Sequence, residues 1–134
     1  MRLKDKVAIV TGAASGIGRA TATLFAEEGA SVLLTDVNAV GGEEAAQAIR
    51  DKGGKAVFHK ANVSQQVECE GVVKACVAAF GRVNTLVNNA GVFILRGVEA
   101  TPEDWQAVMA TNVFGYSYLM NFAAEEMRKQ GGGT

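Results

Sequence analysis

The chain has 134 residues, 49% of them hydrophobic and 20% charged, with a formal net charge of -1. That is the composition of one globular domain with a real core, and it excludes a disordered chain. Lysine and arginine are scattered among aspartate and glutamate with no basic block, and no apolar run approaches the ~20 residues of a membrane span, so neither nucleic-acid nor membrane binding has support. Residues Met1 to Lys6 lead straight into an apolar segment without a signal-peptide core, which makes a cytoplasmic protein the expectation. Val7–Thr11 reads as a short buried strand, followed by a helix over Ser15–Glu28 that Gly29 ends in the manner of a C-cap. Ser31–Asp36 is the second strand. A polar helix spans Gly42–Lys52 and stops at Gly53-Gly54; Lys55–Lys60 is the third strand. Ser64 is placed as the N-cap of a helix that runs to Phe80 and stops at Gly81, and Val83–Val87 is the fourth strand. Thr101-Pro102-Glu103-Asp104 has the chemistry of a helix start: Thr at N-cap, Pro at N1 and acids in the first turn. The long helix beyond it repeats apolar residues at Trp105, Val108, Met109, Val113, Tyr116, Leu119, Met120, Ala123 and Met127, which fits a 3.6-residue period.

Short apolar strands alternating with helices imply an α/β fold with a parallel sheet covered on both faces. With right-handed crossovers the four strands take the order 3-2-1-4 of a doubly wound sheet, in a single domain over residues 1–134. Cys69 and Cys76 fall on one predicted helix, roughly 10 Å apart along its axis at ~1.5 Å per residue. A disulfide needs Cα atoms within about 7 Å, so both are expected as free thiols, packed or at the surface. His59 is the only histidine and no ligand cluster surrounds it, so no metal site is expected.

The chemistry concentrates in Thr11-Gly12-Ala13-Ala14-Ser15-Gly16-Ile17-Gly18, between the first strand and the first helix. Glycines there let the backbone turn sharply and approach a pyrophosphate, and the free N–H groups and positive dipole end of the helix face the anion. Asp36 closes the second strand, where a carboxylate can accept hydrogen bonds from both hydroxyls of an adenosine ribose. A 2′-phosphate there would meet a like charge, so NAD is favoured over NADP. The alternative for Asp36 is a surface residue capping the next helix.

These motifs resemble those of the short-chain dehydrogenase/reductase family. Thr11, Gly12, Gly16 and Gly18 match its Thr-Gly-x-x-x-Gly-x-Gly motif, and Asn88-Asn89-Ala90-Gly91 matches its Asn-Asn-Ala-Gly motif in full. Ala61-Asn62-Val63-Ser64 is similar to its adenine-contacting turn, with Asn62 in place of the commoner Asp; the amide can still pair with an adenine edge. The resemblance covers essentially the whole chain and implies a Rossmann-like fold binding NAD. By position it implies that Gly12, Ser15, Gly16, Ile17 and Gly18 line the pyrophosphate, and that Asp36 and Val37 hold the ribose. It places Asn62 and Val63 beside the adenine and Asn89, Ala90 and Gly91 against the cofactor, with Asn88 bracing the sheet.

Asn112, in Ala110-Thr111-Asn112-Val113, matches the asparagine of the family's catalytic tetrad, whose backbone carbonyl holds a water of the proton relay in a locally distorted helix. A solvated or capping Asn is the alternative. The implied reaction is hydride transfer between a nicotinamide and a small alcohol or carbonyl substrate. It also requires a Ser and a Tyr-x-x-x-Lys pair, because a Tyr with a pKa near ~10 needs a cation beside it to act as a base. Tyr116 is followed four positions on by Met120 and Tyr118 by Phe122, so neither matches. The chain is thus expected to be roughly the N-terminal half of such a domain, ending at Gly131-Gly132-Gly133-Thr134 in the turn before a fifth strand, and inactive by itself. A homo-oligomer through the 103–130 helix is expected. Two other readings stand beside this one: a non-catalytic dinucleotide-binding module, and a fragment with an interaction role through an unpaired fourth strand and an uncovered helix face.

Overall fold

The computed structural model describes all of residues 1–134. Strands β1 (Val7–Thr11), β2 (Ser31–Asp36), β3 (Lys55–Lys60) and β4 (Thr85–Val87) form one parallel sheet in the order β3-β2-β1-β4. Helices α1 (Gly16–Glu27), α2 (Ala39–Asp51) and α3 (Gln66–Phe80) make the crossovers, and α4 (Pro102–Met109), a π-helical turn (Ala110–Gly115) and α5 (Tyr116–Lys129) follow β4. No helix is long and apolar enough to cross a membrane. The register pairs Val7 with Ser31 and Thr11 with Thr35, and continues from Thr35 to His59 and from Val10 to Val87. The C-terminal ends of the strands therefore finish at one level, where the loops after β1, β2, β3 and β4 meet. Parallel α/β sheets take their ligands at this edge, where the strand order reverses.

Each strand alternates between two cores. Ile9 and Leu33 face a layer containing Val63, Cys69, Val72, Cys76, Val83, Leu119 and Ala123. Val10, Val32 and Leu34 face the opposite layer, built on Ala22, Ala26, Ala45, Ala46 and Ile49. The short side chains on α1 and α2 let both helices lie close to the sheet, and the Gly42 backbone sits directly against the Phe58 ring. Both cysteines are free and buried, which selects packing over a surface position.

Four boundaries differ from the expectation. Helix α2 begins at Ala39 because Asn38 accepts from the Gly41 N–H at 3.0 Å and caps it three residues earlier. Helix α3 begins at Gln66 without a side-chain cap, since the Ser64 hydroxyl donates instead to Asn62 Oδ1 at 2.8 Å. Strand β4 starts at Thr85, after the Asn84 N–H has bonded the Val7 carbonyl at 2.9 Å. Its outer edge is not bare: Thr134 donates to the Asn84 carbonyl and accepts from the Leu86 N–H, both at 2.8 Å, in the pattern of a further parallel strand. The Gly131–Gly133 turn makes this return possible, with φ of 88° at Gly131 and 142° at Gly132. Finally, the long helix is interrupted by its π-helical turn, and of its apolar series only Leu119 and Ala123 are buried.

Candidate functional site

The cleft at the C-terminal edge is framed from β1 outward. The Thr11 hydroxyl, fully buried, donates to the Val87 carbonyl and accepts from the Asn89 N–H at 2.8 Å and the Ala90 N–H at 2.9 Å. Asn89 answers with its side chain, whose Nδ2 donates to the Thr11 carbonyl at 3.0 Å and the Gly12 carbonyl at 3.4 Å. These bonds clamp the glycine turn to the end of β4. Gly12 has φ +63°, and a Cβ on it would lie 2.8 Å from Asn89 Nδ2 and 2.9 Å from Ala90 Cα. Gly18 packs its Cα directly against the Gly12 carbonyl. Both positions admit only glycine without a shift of backbone.

Gly16 is different: at φ +53° a Cβ there would meet nothing within 4 Å. It opens α1, whose N-cap Ser15 makes no side-chain capping bond and whose first turn holds no acidic residue. The positive end of the α1 dipole, with its unbonded first-turn N–H groups, thus faces open space, the condition in which a helix start accepts a phosphate.

Asp36 holds the second wall. Its Oδ2 accepts from the Ala14 N–H at 3.0 Å and its Oδ1 from the Asn38 N–H at 2.9 Å. The carboxylate orders the glycine turn and the entry to α2 together, and each oxygen keeps a lone pair for a further donor. Asp36 does not itself cap α2, whose N-cap is Asn38, but holds that residue's backbone in place. From β3, Asn62 receives the Ser64 N–H at 3.1 Å and gives its own N–H to Glu68 Oε2 at 2.7 Å.

A cleft of about 160 Å³ lies between these walls, lined by Gly12, Asp36, Val37, Asn62, Val63, Ala90 and Gly91 among the expected residues. It is smaller than the ~300–1,000 Å³ of a pocket enclosing a whole drug-sized ligand, so it suits one part of an elongated one. Ser15, Gly16, Ile17 and Gly18 lie outside this lining, at the start of α1, and Asn89 and Asn112 also fall outside it. Thr35, Ala61, Val92 and Thr111 complete it and were not expected. Thr35 is fully buried with an unpartnered hydroxyl, and a polar residue in an apolar strand was the available signal.

Asn112 sits in the π-helical turn, half-buried. Its Oδ1 accepts from the Val92 N–H at 2.8 Å while its Nδ2 donates to the Val92 carbonyl at 2.9 Å. Both arms of the amide therefore hold the strand-like segment after Gly91. This is neither a solvated nor a helix-capping asparagine. Asn88 reaches the Tyr116 carbonyl at 3.4 Å with its Nδ2, tying β4 to α5, and its Oδ1 has no partner. A second, more open surface of Phe93, Ile94, Leu95, Trp105 and Val108 extends from Asn112 toward α4.

The family model for short chain dehydrogenases matches residues 6–134. The chain belongs to the short-chain dehydrogenase family. Over its full length this family member is 42% identical to an uncharacterized oxidoreductase of Thermotoga maritima, of which it covers 53%. The structure superposes on a hydroxysteroid dehydrogenase from Escherichia coli with a TM-score of 0.95 at 35% identity, covering 98% of this chain and 56% of that one. A metagenomic short-chain oxidoreductase in complex with NADP aligns with a TM-score of 0.93 at 32% identity, over 99% of this chain and 61% of that one. The chain spans about half the length of the curated relatives it matches.

Proposed function

We propose that this chain forms the dinucleotide-binding part of an NAD(H)-dependent oxidoreductase acting on a small alcohol or carbonyl substrate. The observation that carries the reading is the uncapped start of α1 at the end of a glycine turn that Asp36, from the end of β2, holds through the Ala14 N–H. In this reading the Gly16–Gly18 N–H groups bind the pyrophosphate, and Asp36 accepts from the adenosine ribose hydroxyls with Val37 beside it. Asn62 and Val63 flank the base, and Ala90 and Gly91 meet the cofactor at the end of β4. The bound nicotinamide supplies or accepts the hydride. Asn112 serves through its backbone carbonyl, as a holder of a relay water, because its side chain is engaged with Val92.

Asp36 also supports NAD over NADP, since its charge opposes a 2′-phosphate and the residues after it, Val37 and Asn38, carry no cation. The relative solved with NADP makes this the point to test first. Titration by nucleotide fluorescence is expected to show NADH bound at least about tenfold more tightly than NADPH. Equal or reversed affinities would remove the preference, and no binding of either would remove the dinucleotide reading. Asp36→Asn, which keeps one acceptor oxygen but no charge, should weaken NADH about tenfold, the size of a lost charge-assisted hydrogen bond.

No tyrosine in these residues has a lysine four positions on. The 134 residues by themselves are therefore expected to bind NADH without oxidising alcohols, and NAD-dependent turnover by a mass-verified sample would refute that. We further propose that α4, the π-helical turn and α5 mediate a homo-oligomer, because Trp105, Met109, Phe114 and Met120 are 60%, 39%, 49% and 52% exposed.

A further inference from the structure

At Asn62 and Val63 the cleft presents free donors and no free side-chain acceptor. Asn62 lines the cleft and is exposed, and its amide orientation is determined by its neighbours. The Ser64 backbone N–H, which can only donate, lies 3.1 Å from Oδ1, and the Ser64 hydroxyl donates to the same oxygen at 2.8 Å. A flipped amide would set Nδ2 against that N–H. Oδ1 is thus engaged twice on the side of the turn, and Nδ2, which has no partner in the chain, is the free arm. The remaining polar groups of Asn62 are also committed: its N–H to Glu68 Oε2 at 2.7 Å and its carbonyl to the Gln65 N–H at 3.0 Å. The adjoining Val63 N–H has no acceptor in the chain either.

A donor-only subsite pairs with acceptor atoms of a purine and gains nothing from a 6-amino group. Adenine offers its ring nitrogens as acceptors, whereas a 6-oxopurine offers N7 and O6 side by side. We infer that Asn62 sets a relaxed base specificity, so that the site takes a dinucleotide of a 6-oxopurine about as well as one of adenine. The inference rests on the dinucleotide reading above. A carboxylate at the same position would reverse it: one oxygen would still accept both Ser64 bonds, while the other would accept from a 6-amino group and repel a 6-oxo group.

The test is calorimetric titration of the full chain with NAD+ and with nicotinamide hypoxanthine dinucleotide, repeated on Asn62→Asp. The expected result is dissociation constants within fivefold of each other in the wild type, and a shift of at least fivefold toward NAD+ in the variant, on the order of one charge-assisted hydrogen bond. NAD+ binding with a wild-type gap above fivefold, or with a gap that Asn62→Asp moves by less than fivefold, overturns the inference and leaves the dinucleotide reading standing. Binding of neither dinucleotide overturns both. Should Asn62→Asp fail to fold by circular dichroism, the wild-type gap alone decides.

Discussion

The Thr11 hydroxyl donates to the Val87 carbonyl and accepts from the N–H groups of Asn89 and Ala90, at a position closed to water. Thr11→Val keeps the shape and leaves both N–H groups unpaired, each costing about 1–3 kcal/mol. Urea denaturation is expected to show a loss of about 2–4 kcal/mol, and a loss below about 1 kcal/mol would mean that water replaces the hydroxyl. Two of the turn's three glycines separate in the same way. Gly12→Ala combines a left-handed backbone with contacts near 2.8 Å to Asn89 and Ala90, so strain and overpacking add to about 2–4 kcal/mol. Gly16→Ala meets only the backbone penalty of about 1–2 kcal/mol, because its Cβ enters open space. That same methyl would intrude where the pyrophosphate is proposed to lie, so NADH affinity should fall further than stability does. Gly12, Gly16 and Gly18 were legible as a turn because glycine at that spacing has few other uses after a strand. The Thr11 hub was not, since its three partners come from residues far along the chain.

At the scale of elements, β1, β2 and β3 occupy the spans their apolar runs and flanking stop residues indicate. Such strands are bounded by local chemistry, glycine and charge, that reads the same in any context. The segment from α4 to α5 is the contrary case. Its start is local, a capping box in which Thr101 and Asp104 exchange bonds at 3.0 and 3.2 Å. Its π-helical turn has long-range neighbours: the Asn112 amide binds Val92, and a Cβ on Gly115 would stand 2.7 Å from the Val63 carbonyl. A widened turn breaks the 3.6-residue phase, so an apolar stripe traced through it does not stay on one face. That is why Trp105 and Leu119, in one series by spacing, end at 60% and 0% exposure. Gly115→Ala must push the helix away from the turn that carries Asn62 and Val63. The expected loss is about 1–3 kcal/mol with weakened NADH binding. Unchanged stability and affinity would show that the close approach is incidental.

For the whole molecule, Cys69 and Cys76 report on the integrity of the layer between the sheet, α3 and α5. Burial pushes the Cys69 thiol up to about 11 and the Cys76 thiol up to about 12, from an ordinary value of 9.0. The stability they contribute as neutral buried thiols is full below about pH 9 and is lost as pH rises toward those values, because the unfolded chain releases the protons first. At pH 8, ionisation alone should slow native labelling by a thiol reagent at least about a hundredfold relative to the unfolded chain. Labelling at the unfolded rate would place the cysteines outside the core. The exposed apolar face of α4 and α5 belongs to this scale too. Sedimentation over a range of concentrations is expected to show self-association, and Trp105→Glu to reduce it without lowering the melting temperature; a concentration-independent monomer would remove the oligomer proposal.

The sequence by itself determined the strand–helix alternation, the parallel order and the residues of the glycine turn, because hydrophobic period, stop residues and backbone freedom act over a few neighbours. Only the tertiary structure decided how Thr11, Asp36, Asn62 and Asn112 are engaged. Their hydrogen bonds join segments that meet only once the sheet has formed, and a side chain's free donor or acceptor is whatever those bonds leave over.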